Sequence, residues 1–252
     1  MKLEVITHCY NPPGISTYAA CLEIQANSLM TCAANSPHDV TLSVCVLRAD
    51  DGIDNATSDV MDRLHDRDWP RNFQMNEVPL VGGELFRRAI GRNLLAKATD
   101  ADVVWFADVD YFPRGDFLTS VNLRVKRFSG LVYPRTYWIH QTHELGDAML
   151  QRQPMFFHQD DFKETRPRKP IGGLMFVGGV RARQGYLDNT KWTKPVDPER
   201  GFRQCRCDVR YRKSLPEPST QVAIETIYRI RHTQNGRDYD YKGELIGKRG
   251  WK

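Results

Sequence analysis

Thr99-Asp100-Ala101-Asp102-Val103-Val104-Trp105-Phe106-Ala107-Asp108-Val109-Asp110 sets a short apolar run between two pairs of acidic residues. The β-branched and aromatic centre, Val103 to Phe106, predicts a buried strand over Asp102–Ala107. Asp108 and Asp110 then stand one residue apart at its carboxyl end. Carboxylates this close repel unless a cation lies between them or water screens them. A hard divalent ion with oxygen ligands, Mg²⁺ or Mn²⁺, is the natural partner, and it leaves positions open for a diphosphate. The Asp-x-Asp pattern alone is not specific, since Asp100-Ala101-Asp102 and Asp238-Tyr239-Asp240 also match it. Position separates them: the first precedes the strand, roughly 20 Å from its other end at about 3.3 Å per residue, and the third sits in a polar tail.

Upstream, strand and helix patterns alternate. Leu3 to Thr7 reads as a buried strand that ends at the breaker Asn11-Pro12-Pro13-Gly14. Ser16 is placed to cap a helix carrying Ala19, Leu22, Ala26, Leu29 and Ala33 on one face. Val40 to Leu47 predicts a second strand, followed by the polar loop Arg48 to Gly52. Asn55 to His65 predicts a short helix and Phe73 to Pro79 a third strand. Gly82-Gly83 opens a further helix with Phe86, Ile90 and Leu94 on one face. Such alternation implies an α/β fold, a mostly parallel sheet with helices on both faces. Ligands of such sheets bind beyond the carboxyl ends of the strands, where the loops after the first, second and fourth strands converge.

The second half is less regular. Gly130 to Tyr133, Thr136 to Ile139 and Ile171 to Val177 have strand character, His158 to Pro170 is expected to be a mobile loop, and the segment from Gln234 is expected to wrap the surface. A single domain with two halves follows, 1–135 and 136–252.

The chain has 252 residues, 40% hydrophobic and 27% charged, an ordinary globular composition. No apolar stretch approaches the length of a membrane span. The N-terminus turns polar too early for a secretory signal, so a cytoplasmic location is the default expectation. Of the six cysteines, Cys9, Cys21, Cys32 and Cys45 fall in apolar segments, while Cys205 and Cys207 form a C-x-C pair with no second pair to complete a zinc site. Reduced thiols are expected rather than a disulfide framework. The net charge is +5, and Arg200, Arg203, Arg206, Arg210, Arg212 and Lys213 cluster late. A basic run attracts phosphate, whether of a nucleotide or of a nucleic acid, or is a solvated face.

Gly91-Arg92-Asn93, followed by the acidic strand from Thr99 to Asp110, resembles the core of the family 2 glycosyltransferases of the GT-A (Rossmann-like) type. The resemblance covers residues 1–135 well and the remainder loosely. It implies a nucleotide-sugar-binding first half and an acceptor-binding second half. It places Asp108 at the ribose or the metal and Asp110 on a metal that bridges the phosphates. Thr7, Tyr10 and Asn11 would lie beside the base, Asp50 or Asp51 at the uracil or ribose, and Arg88 or Arg92 at the diphosphate. Tyr10 capping the core, solvated turn aspartates and surface arginines are the plain alternatives.

Ile171-Gly172-Gly173-Leu174-Met175-Phe176 resembles the family's glycine-rich strand, with Gly172 and Gly173 letting a sugar approach the backbone. Asp208 keeps the acidic character of the family's base position, although its companions there are Cys207 and Arg210. Inverting transfer needs such a carboxylate to take the acceptor proton; an Asp salt-bridged in an arginine cluster is the alternative. His232 matches a late metal-binding histidine of GT-A enzymes and suits Mn²⁺ better than Mg²⁺. His140 and His143 lack a carboxylate partner in sequence and read as ordinary residues. Trp192, between Lys191 and Lys194, is the candidate acceptor contact.

The function these readings imply is metal-dependent transfer of a sugar from a nucleotide-diphosphate donor, UDP by default, to an acceptor hydroxyl, with a lean toward inversion. Acceptors that fit are a glycan, a protein, a small molecule or hydroxymethylated bases in DNA. A sugar nucleotidyltransferase would need a basic, glycine-rich loop after the first strand, and Cys9 to Gly14 holds neither Arg nor Lys. A non-catalytic nucleic-acid-binding protein suits the basic run but not the paired carboxylates. Oligomeric state is open.

Overall fold

The computed structural model describes residues 1–11, 14–47, 54–151, 157–188, 191–197 and 207–234. Asp50, Asp51, Cys205, the arginines at 200, 203 and 206, and the tail beyond Gln234 lie outside the described residues.

The first half follows the alternation. Strands β1 (Lys2–His8), β2 (Asp39–Leu47), β3 (Phe73–Leu80) and β4 (Val103–Phe106) are joined by helices α1 (Thr17–Ala34), α2 (Asn55–His65), α3 (Gly82–Leu85) and α4 (Arg88–Ala98). Then come β5 (Tyr111–Pro113), α5 (Phe117–Arg124), β6 (Val132–Pro134), β7 (Tyr137–His140), α6 (His143–Gln151), β8 (Phe162–Thr165), β9 (Met175–Gly178), α7 (Gly179–Ala182), α8 (Cys207–Ser214), β10 (Thr220–Val222) and β11 (Ile227–Arg229).

The described residues form a seven-stranded sheet of order β10-β6-β9-β4-β1-β2-β3. The block β4-β1-β2-β3 is parallel throughout, while β9 runs antiparallel against β4 and β6. Strands from both halves of the chain therefore alternate in one sheet. Chain order reverses direction at β1, between β4 and β2, and that switch point opens a crevice at the carboxyl ends of β1 and β4. Trp105 of β4 shows why the sheet is stable there. Its indole is fully buried, stacks on Phe176 of β9 at 5.2 Å, and donates to the Gly173 carbonyl at 2.9 Å.

Two local expectations are corrected. Ser16 occupies the cap position of α1, but its side chain makes no capping bond. Asn11, from the loop after β1, caps the helix instead, with its Oδ1 accepting from the backbone N–H of Tyr18 and Ala19 at 2.9 and 3.2 Å. The segment His158–Pro170, read from its charge as a loop, contains a 3-10 turn (Gln159–Asp161) and β8, which pairs with β7. Phe162 accounts for this. It is buried among His140, Phe112, Phe157 and Tyr228, and that apolar contact outweighs the polar neighbours.

A second sheet, β5-β11-β7-β8, stands beside the first. Helix α6 closes on it so tightly that a Cβ at Gly146 would overlap the Arg231 carbonyl. Cys9, Cys21, Cys32 and Cys45 are free thiols buried as small hydrophobes, and Cys207 is buried as well. No helix among the described residues is long and apolar enough to cross a membrane.

Two measurements check this packing. Gly146→Ala is expected to cost about 2 kcal/mol or more in urea unfolding, because backbone rather than a flexible side chain must yield. His140, stacked on Phe162 at 4.0 Å, has its pKa pushed down by burial to about 4. Between 6.5 and 4 the unfolded chain binds a proton that the folded chain refuses, so stability falls as the pH drops through that window. A loss of about 2–3 kcal/mol from this residue is expected between pH 7 and 4.5, and His140→Phe should flatten the slope.

Candidate active site

The switch point gathers chain from four places: the end of β1 with Asn11, the start of α4, the turn after β4, and the start of α8. Each is held by a specific contact. The β1 loop is tied down by Asp54, the cap of α2, which accepts from Asn11 N at 2.7 Å and from Thr57 N at 3.0 Å. The Asn11 amide also donates to Thr57 Oγ1 at 2.8 Å. The turn after β4 is clamped from α1 by buried Gln25, which donates to the carbonyls of Tyr111 and Asp108 at 2.7 and 3.2 Å.

Arg92 of α4 is the centre of the site. It is fully buried, and its guanidinium donates to Asp208 Oδ1 at 2.6 Å, Asp108 Oδ1 at 3.2 Å, the Tyr186 hydroxyl at 3.0 Å and the Ala107 carbonyl at 3.1 Å. Burial opposes its charge, but Tyr186, Asp208 and Asp108 more than offset this and hold its pKa above the ordinary value. Phe106 and Tyr186 present ring faces to it at 5.8 and 5.4 Å. Arg88, one turn earlier, also pairs with Asp108.

Asp208 sits in the first turn of α8, where the helix dipole favours a carboxylate. Arg92 and the Tyr186 hydroxyl, at 2.8 Å, hold its Oδ1. Its Oδ2 lies against Gly172, where a Cβ would overlap it. Gly173 likewise makes room for the Tyr111 ring and the Asp108 side chain. The two glycines are therefore needed first by the chain's own site residues.

Asp108 and Asp110 diverge. Asp108 turns to the α4 arginines, whereas Asp110 turns to β11, where Arg229 Nε donates to its Oδ2 at 2.9 Å. The compensating charge that the sequence reading assigned to one shared cation comes, among the described residues, from guanidinium groups. No group of three or more His, Cys, Asp or Glu among them could hold a metal unaided. A divalent ion completed by diphosphate oxygens and water needs only one or two protein ligands, and one pair here fits that need. His232 keeps a buried Nδ1 with no hydrogen-bond partner. Burial pushes its pKa down while nearby Asp110 pulls it back up. A neutral imidazole and a carboxylate suit Mn²⁺.

Thr7, Tyr10 and Trp192, nominated from the sequence, are buried. Thr7 is fully buried, and its hydroxyl has no partner. Tyr10 is buried edge-on against Phe86 at 4.9 Å. Trp192 is 9% exposed, and the Arg87 guanidinium covers its ring at 5.2 Å. Gln25, Tyr186, Arg229 and His8 were not picked out by pattern. His8, 7% exposed, has both ring nitrogens unpartnered and lies against Gly91, where a Cβ would come within 2.6 Å of Nε2. Burial, with Arg92 and Arg88 nearby, keeps it neutral. A polar residue closing an apolar strand was its only sequence signal.

No family model and no curated protein matches the sequence. Among solved structures the chain is similar to TarS of S. aureus (12% identity, TM-score 0.44), covering 91% of this chain and 36% of that one. It is similar to the galactosyltransferase LgtC (15%, TM-score 0.39), covering 75% and 63%. HddC from Yersinia pseudotuberculosis matches at 9% identity and TM-score 0.46, covering 92% and 94%. The chain thus spans about a third of TarS and under two thirds of LgtC.

Arg92→Met would leave Asp208 without the Arg92 guanidinium and remove one of the guanidinium partners that Asp108 has among the described residues. Equilibrium unfolding is expected to show a loss of about 3–5 kcal/mol, against less than about 1 kcal/mol for the exposed pair Lys97–Asp188 when Lys97 is replaced.

Proposed function

We propose that the chain is a glycosyltransferase of the GT-A type. It moves a sugar from a nucleotide diphosphate donor, a UDP-sugar in the first instance, to an acceptor hydroxyl with inversion. One observation carries this reading: a single buried arginine, Arg92, joins the carboxylate at the end of β4 to the carboxylate that opens α8. The two residues nominated for donor and acceptor chemistry, about a hundred positions apart, belong to one site at the switch point.

In this reading Asp208 is the base. With Oδ1 anchored by Arg92 and Tyr186, the carboxylate is held in one orientation, and Oδ2 is left to take the acceptor proton as the new bond forms. The side chain is 18% exposed, enough for an acceptor to reach it. Asp108 and Arg88 stand at the donor side, where the guanidinium favours the diphosphate. Thr7, Tyr10 and Asn11 shape the wall on which the base rests, and Asp50 would meet the uracil or ribose from the loop after β2. Gly172 and Gly173 keep the floor low. Asp110 and His232 would hold Mn²⁺ or Mg²⁺. A bound divalent ion would offset charge on the departing diphosphate. The backbone amide of Asn11 is committed to Asp54, so it is not offered to phosphate as a nucleotidyltransferase loop would require.

A panel of nucleotide sugars incubated with and without Mn²⁺, read as donor hydrolysis, tests the class and the nucleotide together. Turnover of one donor is expected in the presence of Mn²⁺, with Asp110→Asn abolishing this metal-dependent turnover. Asp208→Asn should lower transfer about 100-fold or more while donor affinity stays within a few-fold. Failure of every donor to bind or turn over would remove the reading. Glycan, peptide and hydroxymethylated DNA acceptors form the second arm.

A further inference from the structure

Arg229 is placed unlike the other arginines of the site. Its strand is pinned beside the acidic turn by backbone: β11 pairs antiparallel with β5, Arg229 opposite Tyr111, and Ile230 N donates to the Asp110 carbonyl at 2.8 Å. Its side chain is not trapped. The guanidinium contacts Asp110 and lies over the Tyr111 ring at 5.3 Å, yet the side chain is 39% exposed while that of Asp110 is 11% exposed. Three residues on, His232 holds its partnerless Nδ1. The position beside Asp110 therefore already carries one positive charge, on a side chain partly open to solvent.

We infer that Arg229 is the resident counter-cation of Asp110 in the donor-free protein, and that it yields Asp110 to a divalent ion when a diphosphate offers the guanidinium a replacement anion. This rests on the glycosyltransferase reading and adds an order of events to it. Charge balances on both sides of the exchange. Carboxylate and guanidinium cancel beforehand; afterwards a divalent cation and the guanidinium face the carboxylate and the two negative charges of a diphosphate diester. A metal arriving alone would strand the guanidinium without an anion. Metal and nucleotide should consequently bind with positive linkage, each strengthening the other. Planar guanidinium suits both roles, because it forks onto carboxylate and onto phosphate alike.

Mn²⁺ binding to the nucleotide-free protein, read as loss of the free aquo-ion paramagnetic resonance signal, tests this without any turnover. Arg229→Gln is expected to bind Mn²⁺ about tenfold or more tightly than the unaltered chain, the worth of one charge-assisted pair. Arg229→Lys, which keeps the charge, should stay within a few-fold of the unaltered chain, and Asp110→Asn/Arg229→Gln should lose the gain. Arg229→Ser replaces the Gln variant if melting shows that one unfolded. No gain in either neutral variant, while the unaltered chain binds Mn²⁺ once UDP is added, overturns the inference and leaves the transferase reading standing. Absence of Mn²⁺ binding in every variant, with and without UDP, overturns the metal assignment and the inference with it.

Discussion

A guanidinium with no solvent exposure sits between two carboxylates at the edge of a parallel sheet, and the geometry around it follows from that burial. Removing Arg92 from water costs several kcal/mol, which only close and numerous acceptors offset. Asp108, Asp208, the Tyr186 hydroxyl and the Ala107 carbonyl supply them. The acceptors come from three separate segments, so satisfying one arginine fixes the relative positions of α4, the turn after β4, the Tyr186 segment and α8. Phe106, Tyr186 and Tyr211 form the apolar wall that keeps water from competing, with Tyr186 stacked on Tyr211 at 4.2 Å.

The same logic explains the glycines. Gly172 and Gly173 leave space because Asp208 and Tyr111 must approach the backbone at the positions Cβ atoms would take. Gly91 does the same for His8 and Cys45 on the other side of α4. Small residues at this edge are consequences of side-chain crowding around a charge cluster. Whatever ligand binds there meets a floor already shaped by the protein's own carboxylates.

Charge compensation is divided between two elements of different mobility. Arg92 is locked into the core on a helix, whereas Arg229 reaches Asp110 from a short strand with part of its side chain in solvent. The first pair is enclosed in the core, and the second stands where solvent reaches the guanidinium side chain. Asp108 and Asp110 thus face different partners, because the turn closed by Tyr111 N donating to the Asp108 carbonyl at 3.1 Å breaks the strand geometry that would put residues i and i+2 on one face.

The apolar strand runs and the helical spacings were local signals, and they sufficed to determine β1 to β4, α1, α2 and α4, the parallel order they imply, and the carboxyl edge on which Asp108 and Asp110 stand. Periodicity reports which face of an element is buried, and that information is carried by neighbours in sequence. Local chemistry could not reveal partners at long range. That Asn11 caps α1, that Gln25 clamps the acidic turn, that Phe162 draws a charged segment into a strand, and that Arg92 and Arg229 neutralise different aspartates are all decided by contacts between residues far apart in the chain. Only the folded chain brings those charges within hydrogen-bonding reach, and the energy of a buried charge depends on which partners arrive.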